Sequence, residues 1–308
     1  MRSGEEFLAK VAVELERVSA WQAMNGGRGR TIARKLAEGD GWTVDDVLCT
    51  CGPQDRPFEE THCRACIALV AAGSFQYRSS AGRELMSPGS ILLGNVGQCF
   101  ECGHEHGTGD RCLSFHYTWN HFEELAAAAG VCGARPVFHV LRLPPLRALS
   151  PLVSQASAAL AGSADVSWEE LSVKLAAQTI QLVAGLSREP KDAPPAALAR
   201  VTRVVRMIER SPESSLKLKD LSREAGLSTF HFLRTFESLT GATPHQYLLR
   251  ARLRRAAIRV STEPTKILDI ALDCGFGDVS NFIRTFRAEF GVSPRMYRTR
   301  TRRRALLS

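Results

Sequence analysis

No apolar run in this 308-residue chain approaches the roughly 20 residues needed to span a bilayer, which argues against a helical membrane protein. The first residues also lack the basic-then-apolar order of an export signal and place Glu5 and Glu6 there instead, so a cytoplasmic location is expected. The nine cysteines therefore come without a secretory context, which favours reduced thiols, metal ligands or redox groups over a disulfide framework. Nor do the two C-x-x-C pairs, Cys63/Cys66 and Cys99/Cys102, have a zinc-ribbon interval, because 32 residues separate them. Apolar residues are plentiful at 44%, enough for two cores in a chain long enough for two domains.

Charge is divided unevenly. Residues 198–308 carry 22 Lys/Arg against 10 Asp/Glu, while residues 1–197 carry 18 against 22, so the excess of +8 arises wholly in the C-terminal part. A basic domain beside a mildly acidic one suggests where a polyanion such as nucleic acid binds.

The same part is internally duplicated. Phe232, Arg234-Thr235-Phe236, Gly241, Pro244 and Tyr247 return fifty residues later as Phe282, Arg284-Thr285-Phe286, Gly291, Pro294 and Tyr297. Upstream, Leu218, Leu221 and Ala225-Gly226-Leu227 return at a spacing of 49 as Ile267, Ile270 and Cys274-Gly275-Phe276. The one-residue slip belongs in a turn, so each copy reads as helix, tight turn at Gly226 or Gly275, and second helix, the plan of a helix-turn-helix. Gly241 and Gly291 then suit left-handed helix ends, Thr243 and Ser293 suit N-caps, and Pro244 and Pro294 suit first turns. The helix from Pro244 to about Val260 joins the copies, and Arg250, Arg252, Arg254, Arg255 and Arg259 are expected to give it a phosphate-attracting surface.

Placed at about 100° per residue, Phe232, Phe236 and Leu239 form one inward stripe. Phe230, Arg234 and Glu237 then point outward, flanked by His231 and Leu233; in the second copy the outward positions are Ser280, Arg284 and Arg287, flanked by Asn281 and Ile283. Arginine can bond guanine bidentately, asparagine can pair with adenine, and Phe230 can pack on a thymine methyl.

Residues 198–304 resemble the DNA-binding domain of the AraC/XylS family of bacterial transcription regulators. The resemblance rests on Ile270, Cys274-Gly275-Phe276-Gly277-Asp278, Ser280, Phe282, Arg284-Thr285-Phe286, Phe290-Gly291-Val292-Ser293-Pro294 and Tyr297-Arg298. It implies two units joined by a rigid helix, each placing its second helix in one of two successive major-groove segments. The resemblance also implies a non-enzymatic regulator that binds double-stranded promoter or operator DNA. An effector, RNA polymerase and a second copy of the chain are the other expected partners. The tail 298–304 reads either as a phosphate-gripping arm or as a solvated end.

Ahead of this part, residues 66–72, 74–78, 90–93 and 112–117 read as short strands, with turns at 79–82 and 87–89. The fold class expected is α+β: a cupin-like β-barrel sensor over 44–143 with flanking helices, and an all-α double helix-turn-helix. The cupin part is implied by the resemblance and by Pro88-Gly89 before an apolar strand. Residues 1–43 read as a partly helical extension carried by Phe7, Leu8, Val11, Leu15 and Val18. Residues 144–188 read as two amphipathic helices, the second opened by a capping box at Ser167 and Glu170. Similar helices mediate dimerisation in the family. Residues 189–197, with three prolines, read as the linker.

Seven cysteines lie between Cys49 and Cys112. Cys102, His104, His106 and Cys112, joined by Cys99, form the candidate metal set, because mixed thiolate and imidazole donors suit zinc. Buried cysteines and surface histidines are the ordinary alternative. Two further alternatives are a cupin-type metalloenzyme using His104, His106 and Asp110, and a thiol or redox sensor fused to the DNA-binding module.

Overall fold

A computed structural model describes residues 29–57, 59–104, 109–131, 137–160, 167–186 and 194–307, and no described helix is long and apolar enough to cross a membrane. The expected helix around Phe7 to Val18, His106 and linker residues 189–193 lie outside the described residues, as do the side chains of Phe230 and residues 302–304. The strands are β1 (Thr31–Gly39), β2 (Trp42–Cys49), β3 (Glu59–Thr61), β4 (Ala65–Gly73), β5 (Phe75–Ser79), β6 (Gly82–Met86), β7 (Ile91–Gly94), β8 (Cys99–Gly103), β9 (Asp110–Tyr117) and β10 (Arg142–Leu143). The helices are α1 (Trp119–Ala128), α2 (Ser150–Leu160), α3 (Trp168–Ala184), α4 (Pro195–Arg210), α5 (Leu218–Glu224), α6 (Thr229–Thr240), α7 (Pro244–Thr262), α8 (Ile267–Asp273), α9 (Val279–Phe290) and α10 (Pro294–Leu307).

These elements fall into two compact units, and the chain passes between them more than once: residues 14–144 and 167–202 form one, residues 145–166 and 203–308 belong to the other. The first unit holds two antiparallel sheets, ordered β1-β2-β9-β4-β7-β10 and β3-β8-β5-β6. Their shared core takes Cys66, Val70, Leu92 and Cys112 from the first sheet and Phe75, Tyr77 and Met86 from the second. The expected closed barrel is therefore corrected to two facing open sheets, since no strand of one pairs with a strand of the other among the described residues. β4 is buried from Ala65 to Val70, as a central strand covered on both faces should be, whereas β2 alternates buried and half-buried residues.

β1 and the start of β2 lie within the stretch expected to be an extension, so the sheet begins earlier than 44. β1 escaped the strand pattern because it is an edge: it is mostly exposed and carries Arg34, Lys35 and Glu38, charges that discourage pairing with another chain.

The two helices of 144–188 separate. α3 packs on α1, β1 and β2 of the sheet unit, with the Ser167 side chain accepting from the Glu170 N–H at 3.3 Å as an N-cap does. Of the stripe expected to be a dimer seam, Leu171 and Leu175 are buried within that unit, Trp168 and Leu182 are half-buried and Leu186 is exposed. α2 instead packs on α7 and α9 in the helical unit, where Leu152, Val153 and Ala156 are buried.

The helical unit is built on an aromatic core. Phe282, Phe286 and Phe290 stand at helical spacing on α9, and Phe286 meets Phe282, Phe290 and Tyr297 at ring-centroid distances of 5.4, 4.4 and 5.4 Å. Phe286→Ala is expected to cost about 3–5 kcal/mol in denaturant unfolding of this unit. Ile283→Ala, on the exposed face of the same helix, should stay within about 0.5 kcal/mol.

Candidate nucleic-acid interface

Each helix-turn-helix is closed by the same backbone device. In the first, Gly226 takes φ 61°, its N–H reaches the Arg223 carbonyl at 2.9 Å and the Leu227 N–H reaches Ser222 at 3.1 Å. In the second, Gly275 takes φ 84°, with Gly275 to Leu272 at 2.9 Å and Phe276 to Ala271 at 3.0 Å. Both are Schellman ends, which need a residue that tolerates the left-handed region. The next helix begins at Ser228, whose side chain accepts from the His231 N–H, or at Asp278, which accepts from Asn281. Gly277 is the additional residue of the second turn, and it accounts for the change from a spacing of 49 to one of 50.

α6 and α9 therefore start alike and present alike. Phe232, Phe236 and Leu239 are buried on α6, and Phe282 and Phe286 on α9. His231, Arg234 and Glu237 are exposed with Leu233 half-buried, and Ser280, Asn281, Arg284 and Arg287 are all exposed. Apart from Phe230, whose side chain is not described, the outward positions assigned from periodicity are exposed or half-buried. On α9 the Arg284 guanidinium donates to Asn281 Oδ1 at 3.1 Å, so the asparagine expected to read adenine is already engaged by its neighbour.

The joining helix α7 differs from expectation. Its five arginines do not form a free basic surface; each is committed within the unit. Arg252 donates to the carbonyls of Pro212 and Ser214 at 2.6 and 2.9 Å, and Arg255 pairs with Glu213 at 2.6 Å. Arg254 pairs with Glu209 at 2.5 Å, and Arg250 donates to the Pro145 carbonyl at 2.7 Å. Arg259 is buried and bonded at 3.0 Å to both Glu263 and Asp273; burial opposes its charge, but these carboxylates outweigh that and raise its pKa. Sequence periodicity missed this because most of the acceptors lie 38 or more residues away and several are backbone carbonyls. The tail continues α10 as a helix through Leu307, and Arg298 is turned inward to the carbonyls of Val260 and Thr265 at 3.0 and 2.7 Å.

The metal set is rearranged. Cys99 opens β8 at the sheet surface, 3.5 Å from Thr61 Oγ1, whereas His104 lies just beyond the other end of that strand. Cys102 is half-buried beside the core, and Cys112 donates to Asp110 Oδ1 at 3.2 Å. His104 is instead gathered with Cys49 and Asp110, and His104 Nε2 lies 2.6 Å from Asp110 Oδ2. Burial would lower the His104 pKa, but hydrogen bonds with Asp110 and Cys49 prevail and raise it to about 9. Cys49 was missed because it lies 55 residues from His104 in sequence; only the β2–β9 register, which pairs Cys49 with Asp110, brings it near.

Residues 221–300 match the helix-turn-helix domain family. The transposon Tn10 TetD protein of Escherichia coli is 36% identical over 79 residues, covering 26% of this chain and 57% of that protein. The HTH-type transcriptional activator RhaS of Mannheimia succiniciproducens is 32% identical over 79 residues, covering 26% of this chain and 30% of that protein. A solved AraC-type transcriptional regulator from Chromobacterium violaceum is 29% identical, covers 35% of this chain and 96% of its own, and gives a TM-score of 0.33. The matched region thus spans little more than half of one of these curated relatives and under a third of the other.

A β-carbon added at Gly275 would lie 2.7 Å from the Glu213 carbonyl oxygen and 2.8 Å from its Cα, in a residue already at positive φ. Gly275→Ala should therefore lower stability by more than about 1 kcal/mol. Gly277→Ala, with nothing within 4 Å of the new carbon, should stay within about 0.5 kcal/mol; thermal unfolding of the two variants makes the comparison.

Proposed function

We propose that this chain, whose C-terminal region is a helix-turn-helix domain of the AraC type, is a sequence-specific DNA-binding transcription regulator rather than an enzyme. One observation carries the proposal: α6 and α9 are capped alike and expose an arginine at the same position, Arg234 and Arg284. Arginine at such a position can bond guanine O6 and N7 in the major groove. A solvated helix does not need that duplication. The basic excess of the C-terminal part supplies attraction to phosphate.

The rest of the chain is proposed as the sensing part. Its facing sheets support a cupin-like reading in which a small molecule or metal acts as effector and alters operator binding or contact with RNA polymerase. A homodimer is the assembly expected from the family, and half-buried Leu182 and exposed Leu186 of the expected stripe remain open to a second copy.

Footprinting on the DNA upstream of its own gene tests the main reading. Two protected segments about 10 bp apart are expected, one for each recognition helix. Arg234→Ala and Arg284→Ala should each cost about 1–3 kcal/mol on the operator and relax base preference in one segment only. Operator affinity unchanged in the double variant would remove both residues from base reading. The salt dependence separates structural from phosphate-binding arginines. Arg255→Ala should leave the slope of log affinity against log salt unchanged, because Arg255 is paired with Glu213. Arg300→Ala, at an exposed position on α10, should reduce that slope by about 1.

A further inference from the structure

We infer that the sheet unit contains a binding site for a divalent metal ion of the zinc class, with Cys49, His104 and Asp110 as its protein ligands. One donor atom from each lies within 4.8 Å of the other two, and all three residues are buried. They come from the end of β2, the residue after β8 and the first residue of β9, so three chain segments converge on one point.

The fold fixes that convergence. Cys49 pairs with Asp110 across the β2–β9 ladder, and Gly73 of β4 pairs with Asp110 from the other side. Cys112 Sγ donates to Asp110 Oδ1 at 3.2 Å, which orients the carboxylate so that Oδ2 faces His104. A partner that orients the carboxylate from outside is a common feature of metal sites. Metal binding takes its ligands deprotonated, here as neutral imidazole, carboxylate and thiolate.

The donor set selects the metal class. Magnesium and calcium prefer oxygen ligands, whereas a thiolate, an imidazole and a carboxylate suit zinc. Two of the three ligands, Cys49 and His104, line a surface pocket together with Cys51, Asp55, Arg56 and Cys102. A fourth coordination position on the side of this pocket can be filled by a water or a small ligand. The site differs from the set Cys99, Cys102, His104, His106 and Cys112 expected from spacing, since it requires Cys49 and Asp110 and does not use Cys99.

Cobalt substitution tests the assignment on the full chain, prepared without a polyhistidine tag and freed of metal by chelation. One equivalent of Co2+ is expected, with a near-ultraviolet thiolate-to-cobalt charge-transfer band, and Zn2+ should displace it. Cys49→Ser should remove the band and weaken zinc binding at least about 100-fold in competition with a chromophoric chelator. His104→Gln should weaken binding similarly while the thiolate remains, and exposed Cys63→Ser should leave binding and spectrum unchanged. Substoichiometric cobalt in the wild-type chain would overturn the proposal. So would a charge-transfer band that survives Cys49→Ser and disappears in Cys99→Ser, or thiol oxidation that proceeds at the same rate with and without zinc. If Cys49→Ser does not fold, the wild-type stoichiometry still decides, together with Asp110→Asn, which should shift the cobalt d–d bands while keeping the thiolate band.

Discussion

The arginines of α7 are the constraint on which the helical unit depends. A helix between two small helix-turn-helix motifs sets their separation only if both are fixed to it. Arg252 and Arg255 hold residues 212–214 ahead of the first motif, while Gly275 of the second motif lies against the Glu213 backbone. The turn of one motif and the approach to the other thus meet at one point on α7. Hydrogen bonds to charged groups contribute about 1.5–3 kcal/mol each when desolvated, so several on one helix rival the loss of a large core residue. Lysine could not substitute here, because Arg252 reaches two carbonyls from two nitrogens of a planar group.

This arrangement changes the meaning of the charge excess. A count of positive residues treats every arginine as available to phosphate, yet the five on α7 and Arg298 on α10 are spent on carboxylates and carbonyls inside the unit. The exposed arginines of α6 and α9 are then distinctive by position and not by number. They stand opposite the phenylalanine stripe, so the packing that buries Phe232 and Phe282 is what turns Arg234 and Arg284 outward.

Legibility followed the range of the interactions. The caps at Ser167, Thr243 and Ser293, the turn and helix-end glycines 226, 241, 275 and 291, and the inward faces of α6 and α9 were readable because each depends on residues a few positions apart. β4, β5, β7 and β9 were readable from short apolar runs between turns. The edge strand β1 was not, because solvent exposure leaves it without the apolar alternation that marks a half-buried strand. The partners of Arg252 and the nearness of Cys49 to His104 were also hidden, since both arise from chain segments that only tertiary folding brings together.

The same limit affected the two helices between β10 and α4. Their apolar stripes are similar in sequence, but α3 finds its cover on the sheet unit and α2 on α7 and α9. α2 is further tied there by the Ser150 hydroxyl on the Glu289 carboxylate and by Arg250 on the Pro145 carbonyl. Because the chain leaves the sheet unit at Pro144, contributes α2 to the helical unit and returns at Ser167, the two units share more than a single linker. Glu289 belongs to α9, the helix that exposes Arg284, so the bond from Ser150 joins that segment directly to this helix.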